Sequence, residues 1–332
     1  TMESMADSGG TAIDALVRLY RTVAKGGAGL IVVGASAVDP PGRVWQHQLV
    51  LWSDGGVAAL SRIPAAIHES GAGKCAIQLH HGGTAGFGYS YGKALGTVDV
   101  NSASDQEIES IIAAFGRAAA RAAGAGFDAV AVHGAHGYLI SQFLSPAINL
   151  RGDAWGGSPE GRLRFPLAVC RAIRSEIDAG MPLLWKMNCS DYLDDGNDID
   201  TYAQAAGALV DEGVDLIELS MGVKEQIKLR NALKKAAGER ESYFSHAIQP
   251  FRQAVGKTAL AVTGGLRSLK AIEKTLAEGA DMVGVCRPII SEPEFPSIIF
   301  QGGDNPKARC ISCNKCLLHI AEHRLKCVHF DL

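Results

Sequence analysis

The sequence lacks the features that would place it in a membrane or on a nucleic acid. No apolar run reaches the roughly 20 residues that a membrane-spanning helix needs, and the N-terminus lacks the layout of a secretory signal. The formal net charge is -3, and the lysines and arginines are scattered rather than clustered. The chain therefore has no basic patch for nucleic acid or anionic lipid. These absences predict a cytoplasmic protein that acts on small molecules.

A nucleotide-binding fingerprint is also missing. The glycines of GAGFD (124–128) precede an apolar run instead of following one, whereas a dinucleotide-binding loop follows a strand and opens a helix. We interpret this segment as a helix-to-strand turn. No Rossmann module, low-complexity tract or strong internal repeat is visible in the sequence.

What the chain does contain is a regular alternation of apolar runs and amphipathic helices. The helices mostly end in glycine, as a left-handed C-cap prefers. The apolar runs have the near-continuous apolarity of strands that are buried on both faces of a parallel sheet. These runs span residues 29–38, 74–81, 128–134, 182–188, 215–220, 259–264 and 282–286.

This alternation is typical of either a doubly wound sheet or a (β/α)8 barrel. The length and the even spacing favour the barrel. The chain opens with a helix at Thr11, before its first strand, so an eighth strand upstream of Thr1 would complete the count. We therefore predict an α/β fold of the (β/α)8 TIM-barrel type that lacks its first strand in this chain. The barrel should span 1–303, and a cysteine-rich extension should span 304–332.

The ends of the last two predicted strands are suited to a phosphate. Gly264 and Gly265 stand at the entrance to a helix, and Cys286 and Arg287 follow the final strand. Barrels commonly bind phosphate at this place, through helix N-termini and exposed backbone amides. The simpler alternative is a tight turn beside a surface cation.

Other strand ends carry side chains that suit a flavin ring and a carbonyl substrate. Gln78 can bond the amide-like edge of an isoalloxazine, and Lys186 can place positive charge beside a ring nitrogen. His133 and His136 could hold a carbonyl oxygen and stabilise an enolate, while Tyr138 could donate a proton. A buried core histidine with a packing tyrosine is the structural alternative. A metal site is the other one, but no third ligand stands nearby in the sequence.

Five segments together resemble the Old Yellow Enzyme family, and within it the branch of 2,4-dienoyl-CoA reductase. In chain order they are GLIVVGASAVDPPGR, AIQLHHGG, VHGAHGYLISQFLSP, NLRGDAWGGSPEGRLRFPLAV and AVTGGLRS with its following DMVGVCRPII. The resemblance covers nearly the whole chain. It implies an FMN-containing barrel that takes a hydride from NADH or NADPH and passes it to an activated C=C bond. It also implies that the first barrel strand precedes Thr1.

The resemblance assigns a role to each candidate residue. His133 and His136 match the pair that grips the substrate carbonyl, and Tyr138 matches the proton donor. The other matched positions are flavin contacts: Thr1, Ala35, Gln78, Lys186, Gly264, Gly265, Cys286 through its backbone, and Arg287.

Four cysteines crowd into the end of the chain. Cys310, Cys313, Cys316 and Cys327 are separated by two, two and ten residues, a pattern that suits a 4Fe-4S cluster in a reducing compartment. The dienoyl-CoA reductase branch has one more residue between its second and third cysteines. Zinc is therefore a competing occupant, because four thiolates also satisfy a tetrahedral site.

The leading hypothesis from the sequence is an FMN-dependent ene-reductase acting on an unsaturated carbonyl or an enoyl or dienoyl thioester. Its electrons would come from NAD(P)H or from a partner flavoprotein, and the chain could form homo-oligomers. Two alternatives remain open. One is a phosphate-binding aldolase or isomerase in which Lys186 forms a Schiff base. The other is an electron-transfer subunit without catalysis of its own.

Overall fold

A seven-stranded parallel sheet forms the centre of the protein. The structure, a computed structural model, describes residues 4–71, 73–85, 97–220, 241–316 and 325–330. Each strand pairs with the next strand in sequence. The strands are β1 Leu30–Ala37, β2 Lys74–His80, β3 Ala129–Gly134, β4 Leu183–Asn188, β5 Leu216–Ser220, β6 Ala259–Thr263 and β7 Met282–Gly284. All seven predicted strands are confirmed.

Helices alternate with the strands. They are α1 Asp14–Lys25, α2 Val57–Leu60, α3 Arg62–Glu69, α4 Asp105–Gly124, α5 Leu139–Leu144, α6 Pro159–Arg174, α7 Ile199–Asp211, α8 Ile248–Val255, α9 Leu269–Ala277, α10 Arg287–Ser291 and α11 Phe295–Gln301. Glycines with positive φ follow α1, α4, α7 and α9, as the sequence predicts. No helix within the described ranges is long and apolar enough to cross a membrane.

The hydrophobic core has two parts, because the sheet curls around an interior of its own. The larger part lies between the sheet and the helices, and contains Phe115, Phe165 and Trp185. The smaller part lies inside the curl and consists mainly of small or aliphatic side chains: Ala76, Ala129, Ala131, Leu184, Leu216 and Ala261. The strands are parallel, and they follow one another in sequence order around this interior. This arrangement confirms the predicted (β/α)8-type barrel with one strand fewer.

The two outer strands, β1 and β7, are the edges of the curled sheet. Among the described residues, no ladder of hydrogen bonds joins them. Met282 of β7 keeps 37% of its surface exposed, whereas β2 to β4 are almost wholly buried. The sheet is therefore open between β1 and β7.

A short structural device, not recognised from the sequence, recurs three times at the N-terminal ends of the strands. Asp128, Asp215 and Asp281 each precede a strand within a Gly-x-Asp segment. Each aspartate exchanges two hydrogen bonds with the start of the preceding strand, where the partners are Cys75, Leu183 and Leu260. A basic residue of the helix before that strand pairs with the same carboxylate; these residues are His68, Arg174 and Arg252. We call this device the aspartate bracket. It ties β2 to β3, β4 to β5 and β6 to β7.

The first part of the predicted extension packs onto the barrel. Ser268 forms a bridge with Lys307, and the Ala308 amide donates to the Arg267 carbonyl. Ala308 belongs to a small core cluster with Leu266 and Phe295. The cysteine-containing segment is thereby placed beside the C-terminal end of β6.

Candidate active site

A cavity of about 960 Å³ opens at the C-terminal ends of the strands and continues into the interior of the sheet. A row of polar side chains lines it: His133, Lys186, Glu218 and Thr263. Each stands two residues after an interior apolar residue, so strand alternation turns all four inward. The apolar interior is thus capped by a polar layer at the end of the barrel where active sites are built.

His133 is buried as a neutral imidazole with a defined tautomer. Burial lowers its pKa well below the usual value, and the neighbouring His136, His80 and Lys186 lower it further. The Ala135 amide donates to Nδ1 at 3.3 Å. The proton is therefore on Nε2, which makes this nitrogen a hydrogen-bond donor.

His136 is held beside His133 by strained backbone and by two polar contacts. Its φ is 64°, in the left-handed region that non-glycine residues rarely adopt. Its amide donates to the Asn188 Oδ1 at 2.9 Å, and its Nε2 lies 2.6 Å from the Ser220 Oγ. The His133 and His136 rings are 4.9 Å apart and nearly perpendicular. Both line the cavity, so the structure places the two predicted imidazoles side by side on one wall.

Tyr138 completes this wall of the cavity. Its ring centroid is 5.0 Å from that of His133 and 4.4 Å from that of His80. Trp45, from the loop after β1, lies against both Tyr138 and His80 and also lines the cavity. Sequence reasoning missed Trp45, because it stands in a loop without any periodic pattern.

His80, the last residue of β2, and the adjacent His81 have different surroundings. His80 packs in the aromatic group around Tyr138, and its Nδ1 is 3.2 Å from the Gln48 amide. His81 lies outside this group, with its Nε2 3.1 Å from an oxygen of Asp39. His81 thus helps to hold the loop that follows β1.

Lys186 forms a buried ion pair with Glu218. The two residues are in register on β4 and β5. The Thr263 hydroxyl also donates to Glu218, at 2.5 Å. Burial opposes ionisation of Glu218, but Lys186 and Thr263 outweigh it and lower the pKa of the carboxyl. Glu218 was missed from the sequence, although a charge within an apolar strand signals a functional or paired position.

The predicted phosphate site, at the ends of β6 and β7, is formed by the backbone of these strand ends and by the cysteine-containing segment. Gly264 and Gly265 have φ values of 148° and 75°, so both need the freedom of glycine. Gly264, Cys286 and Arg287 line the cavity, whereas Gly265 is covered by the Tyr243 ring. Arg287 Nη1 donates to Asn314 Oδ1 at 2.6 Å.

The described part of the cysteine segment forms two tight backbone turns. Ser312 and Asn314 both have left-handed φ, of 56° and 60°, and both line the cavity. The Ser312 amide points at the Cys310 sulfur, at 3.4 Å. Burial raises the pKa of Cys310, and that of Cys316 to about 11. The described part of the segment therefore lies beside the cavity, with the Cys310 sulfur accepting from a backbone N–H group.

The structure places only some of the remaining predicted flavin contacts at the cavity. Ala35 and Lys186 line the cavity, and Thr1 lies outside the described residues. Gln78 is fully buried in the same interior row and does not line the cavity. Neither polar atom of its amide has a hydrogen-bond partner in the described structure. Because buried amides are normally satisfied, this one suits a ligand with both donor and acceptor atoms. The residues present therefore fit a flavin.

Known proteins resemble this chain in sequence and in structure. The family model described as "NADH:flavin oxidoreductase / NADH oxidase family" matches residues 1–305. An NADH oxidase from Thermoanaerobacter brockii is 34% identical over 325 residues, which are 94% of this chain and 49% of that protein. A structure of 2-naphthoyl-CoA reductase with 2-naphthoyl-CoA aligns with a TM-score of 0.87 at 26% identity, over 100% of this chain and 54% of that one. An Old Yellow Enzyme homologue from Zymomonas mobilis has the same fold, with a TM-score of 0.72 at 22% identity over 92% and 88% of the two chains.

The chain spans about half the length of the NADH oxidase and of the naphthoyl-CoA reductase that it resembles. The family match itself extends over nearly all of the barrel. The chain shares its fold with an Old Yellow Enzyme homologue, and it belongs to the NADH:flavin oxidoreductase / NADH oxidase family.

Proposed function

We propose that the protein is an FMN-dependent ene-reductase. It uses NAD(P)H to reduce the C=C bond of an α,β-unsaturated carbonyl or of an enoyl or dienoyl thioester. The observation that carries the proposal is the convergence of His133 and His136 on one cavity wall, next to Tyr138. The similar proteins support this proposal, since one is an NADH oxidase and another is a 2-naphthoyl-CoA reductase in complex with 2-naphthoyl-CoA.

Each residue of this wall has a chemical task. His133 donates from Nε2 to the substrate carbonyl oxygen. His136, whose ring is nearly perpendicular to the ring of His133, binds the same oxygen. Together they stabilise the negative charge that develops on that oxygen. Tyr138 donates its proton to the carbon α to the carbonyl and regains one from solvent. Ser220 and Asn188 position His136.

Bound FMN supplies the hydride chemistry. Ala35, Gln78, Lys186, Gly264, Cys286 and Arg287 are the described residues that would hold it. Lys186 would place positive charge at the flavin edge, and Glu218 balances that charge through the ion pair. The same ion pair disfavours the aldolase alternative, because a Schiff-base lysine has to react as a neutral amine.

A test of this function uses the full-length protein and a simple enone. The purified protein should be yellow, release FMN on denaturation and oxidise NAD(P)H when 2-cyclohexenone is present. His133→Asn should lower turnover by about 10²–10³-fold, the usual effect of losing one oxyanion donor. His246→Asn changes an exposed histidine that does not line the cavity, and should leave turnover unchanged. A colourless protein that binds no FMN would contradict the proposal.

We also propose a 4Fe-4S cluster on Cys310, Cys313, Cys316 and Cys327. Zinc would need three or more sulfurs about 3.8 Å apart, as bonds of 2.3 Å in a tetrahedron require. Among the described residues, no three of these sulfurs lie within 4.8 Å of one another, so they do not form a ready-made zinc site. The amide-to-sulfur contact of Ser312 is typical of cluster loops. Electrons could then come from a partner flavoprotein.

Metal analysis after anaerobic purification separates the two occupants. We expect iron and sulfide in the wild type, and loss of both in Cys313→Ser. Cys189→Ser removes a buried thiol outside the segment and serves as the control. Zinc without iron in the anaerobic protein would overturn the cluster assignment while leaving the ene-reductase proposal intact.

A further inference from the structure

We propose that His68, Cys75 and Asp128 form a binding site for a zinc-like divalent metal ion, at the opposite end of the strands from the active-site cavity. These residues make up the first of the three aspartate brackets. Within the described ranges, they are the one group of three His, Cys, Asp or Glu residues whose ligand atoms lie within 4.8 Å of one another.

The three ligand atoms are already close to a metal-binding arrangement. Zinc bonds of about 2.0–2.3 Å place tetrahedral ligands roughly 3.3–3.6 Å apart. The Cys75 sulfur is 3.6 Å from the His68 Nε2 and 3.4 Å from the Asp128 Oδ2. The His68 Nε2 and the Asp128 Oδ2 are 2.7 Å apart and share a hydrogen bond. Only this last distance has to widen, by roughly 0.6 Å, and the His68 side chain is 43% exposed and able to move.

The other two aspartate brackets show what a purely structural version of this device contains. Asp215 is paired with Arg174 and with the amide of Leu183. Asp281 is paired with Arg252 and with the amide of Leu260. An arginine and a leucine cannot bind a cation.

In the first bracket, both residues that contact the aspartate differ from those in the other two brackets, and both have side chains that can bind a metal. A histidine stands in place of the arginine, and a cysteine stands in place of the leucine. An ion pair alone would explain the histidine, but it gives no reason for the thiol beside it. The double replacement at one carboxylate is what points to a metal.

Charge and solvent access also suit a divalent ion. A thiolate and a carboxylate neutralise its two charges, and a neutral imidazole adds the nitrogen ligand. The Lys74 amine at 2.9 Å from Oδ1 and the Cys75 amide at 2.8 Å from Oδ2 orient the Asp128 carboxylate. Such outer contacts fix ligand geometry in metal sites. The exposure of His68 leaves room for water as the fourth ligand.

Binding should release a proton. In the metal-free protein the Cys75 sulfur donates to the Asp128 Oδ2 at 3.4 Å, so it carries a proton. On binding, the S–H bond breaks, a metal–sulfur bond forms and the proton passes to solvent, with no change of oxidation state. The affinity should therefore rise with pH.

Cobalt(II) titration of the full-length protein tests the site, because a Co(II)–thiolate bond gives an absorption band in the near ultraviolet. The matched variant is His68→Arg, which converts this bracket into the form found at Arg174 and Arg252 and so preserves the fold. We expect the wild type to bind one more Co2+ per chain than this variant. Outer-shell changes already weaken metal sites by about 10–100-fold, and the loss of a ligand should weaken this one at least as much.

Two further variants separate the site from other thiols. Cys75→Leu copies the residue of the other two brackets and should also lose the extra cobalt. Cys170→Ser changes another buried thiol and should keep it. The cysteines of the C-terminal segment contribute equally to all variants, so they cancel in the difference. Equal cobalt uptake and identical spectra in the wild type, His68→Arg and Cys75→Leu would overturn the proposal.

Discussion

Lys186 and Glu218 lie side by side on neighbouring strands and form an ion pair at the base of the candidate active site. Lys186 is 7% and Glu218 19% exposed, so both charges are largely removed from water. A charge in such surroundings is costly unless its partner is present.

Removal of one member of this pair should therefore destabilise the protein. Glu218→Gln leaves the Lys186 ammonium without its counter-charge, and we expect the free energy of unfolding to fall by about 3–5 kcal/mol. The double variant Lys186→Met/Glu218→Leu should recover most of that loss. Glu278→Gln is the matched control, because it breaks a pair with the exposed Lys274, one helical turn away, and should cost at most about 0.5 kcal/mol. Urea unfolding measures all of these values, and equal losses in Glu218→Gln and Glu278→Gln would contradict the prediction.

The stability of the protein should depend on pH through His133. Burial lowers the pKa of His133 in the folded protein, so below pH about 6.5 the unfolded chain binds a proton there that the folded protein does not. Stability is then lost as the pH falls, with a slope of up to about 1.4 kcal/mol per pH unit. His133→Asn should remove this slope. Unfolding curves recorded across that range test it, and parallel pH profiles for the two proteins would show that His133 titrates normally.

Tyr138→Phe should separate the two halves of the proposed reaction. Proton donation by a positioned side chain contributes about 10²–10⁴-fold, so the reduction of an enone should slow by that factor. Flavin reduction by NAD(P)H needs no proton from Tyr138 and should keep its rate. Stopped-flow absorbance follows each half separately. Slowing of both halves to the same extent would instead indicate a packing role beside His80 and His133.

Gly265 should tolerate a side chain less well than a glycine with positive φ that has open space around it. A Cβ atom there would lie 2.5 Å from the Tyr243 ring, in addition to the strain of φ 75°. Gly126 has φ 88° but open space around it. We expect Gly265→Ala to cost about 1–3 kcal/mol more than Gly126→Ala, the usual range for overpacking. Thermal unfolding of the two variants gives the comparison, and equal melting temperatures would contradict it.

The strands and the His133, His136 and Tyr138 wall were predictable because they follow local rules. Continuous apolar runs identify buried parallel strands, and side chains at the ends of such strands share one face of a barrel. Glu218 follows from the same alternation, but it stands two residues before the end of its strand. The rule that active-site residues lie at strand ends therefore does not identify it. The Gly-x-Asp segments are equally visible in the sequence, but they are too short to stand out without the bonds that they make.

Other parts of the site depend on contacts that no local pattern encodes. Trp45 reaches the cavity through a loop whose path is set by His81 and Asp39, far apart in sequence. Arg287 was predicted to hold a phosphate, and its bond to Asn314 arises because the cysteine segment folds back against the barrel. Tertiary packing, and not the spacing of residues, decides both.

The aspartate brackets have a mechanical consequence, because they add hydrogen bonds and ion pairs to the ladders of some strand pairs and not to others. They join six of the seven strands in three pairs. Within the described residues, no bracket joins β1 to β2, β3 to β4 or β5 to β6, and we call these three junctions seams. At the seam between β3 and β4, the contacts lie at the C-terminal ends of the strands. There His136, which follows β3, contacts Asn188 of β4 and Ser220 of β5. We therefore expect thermal fluctuations to separate β3 and β4 at their N-terminal ends, while their C-terminal ends at the cavity stay together.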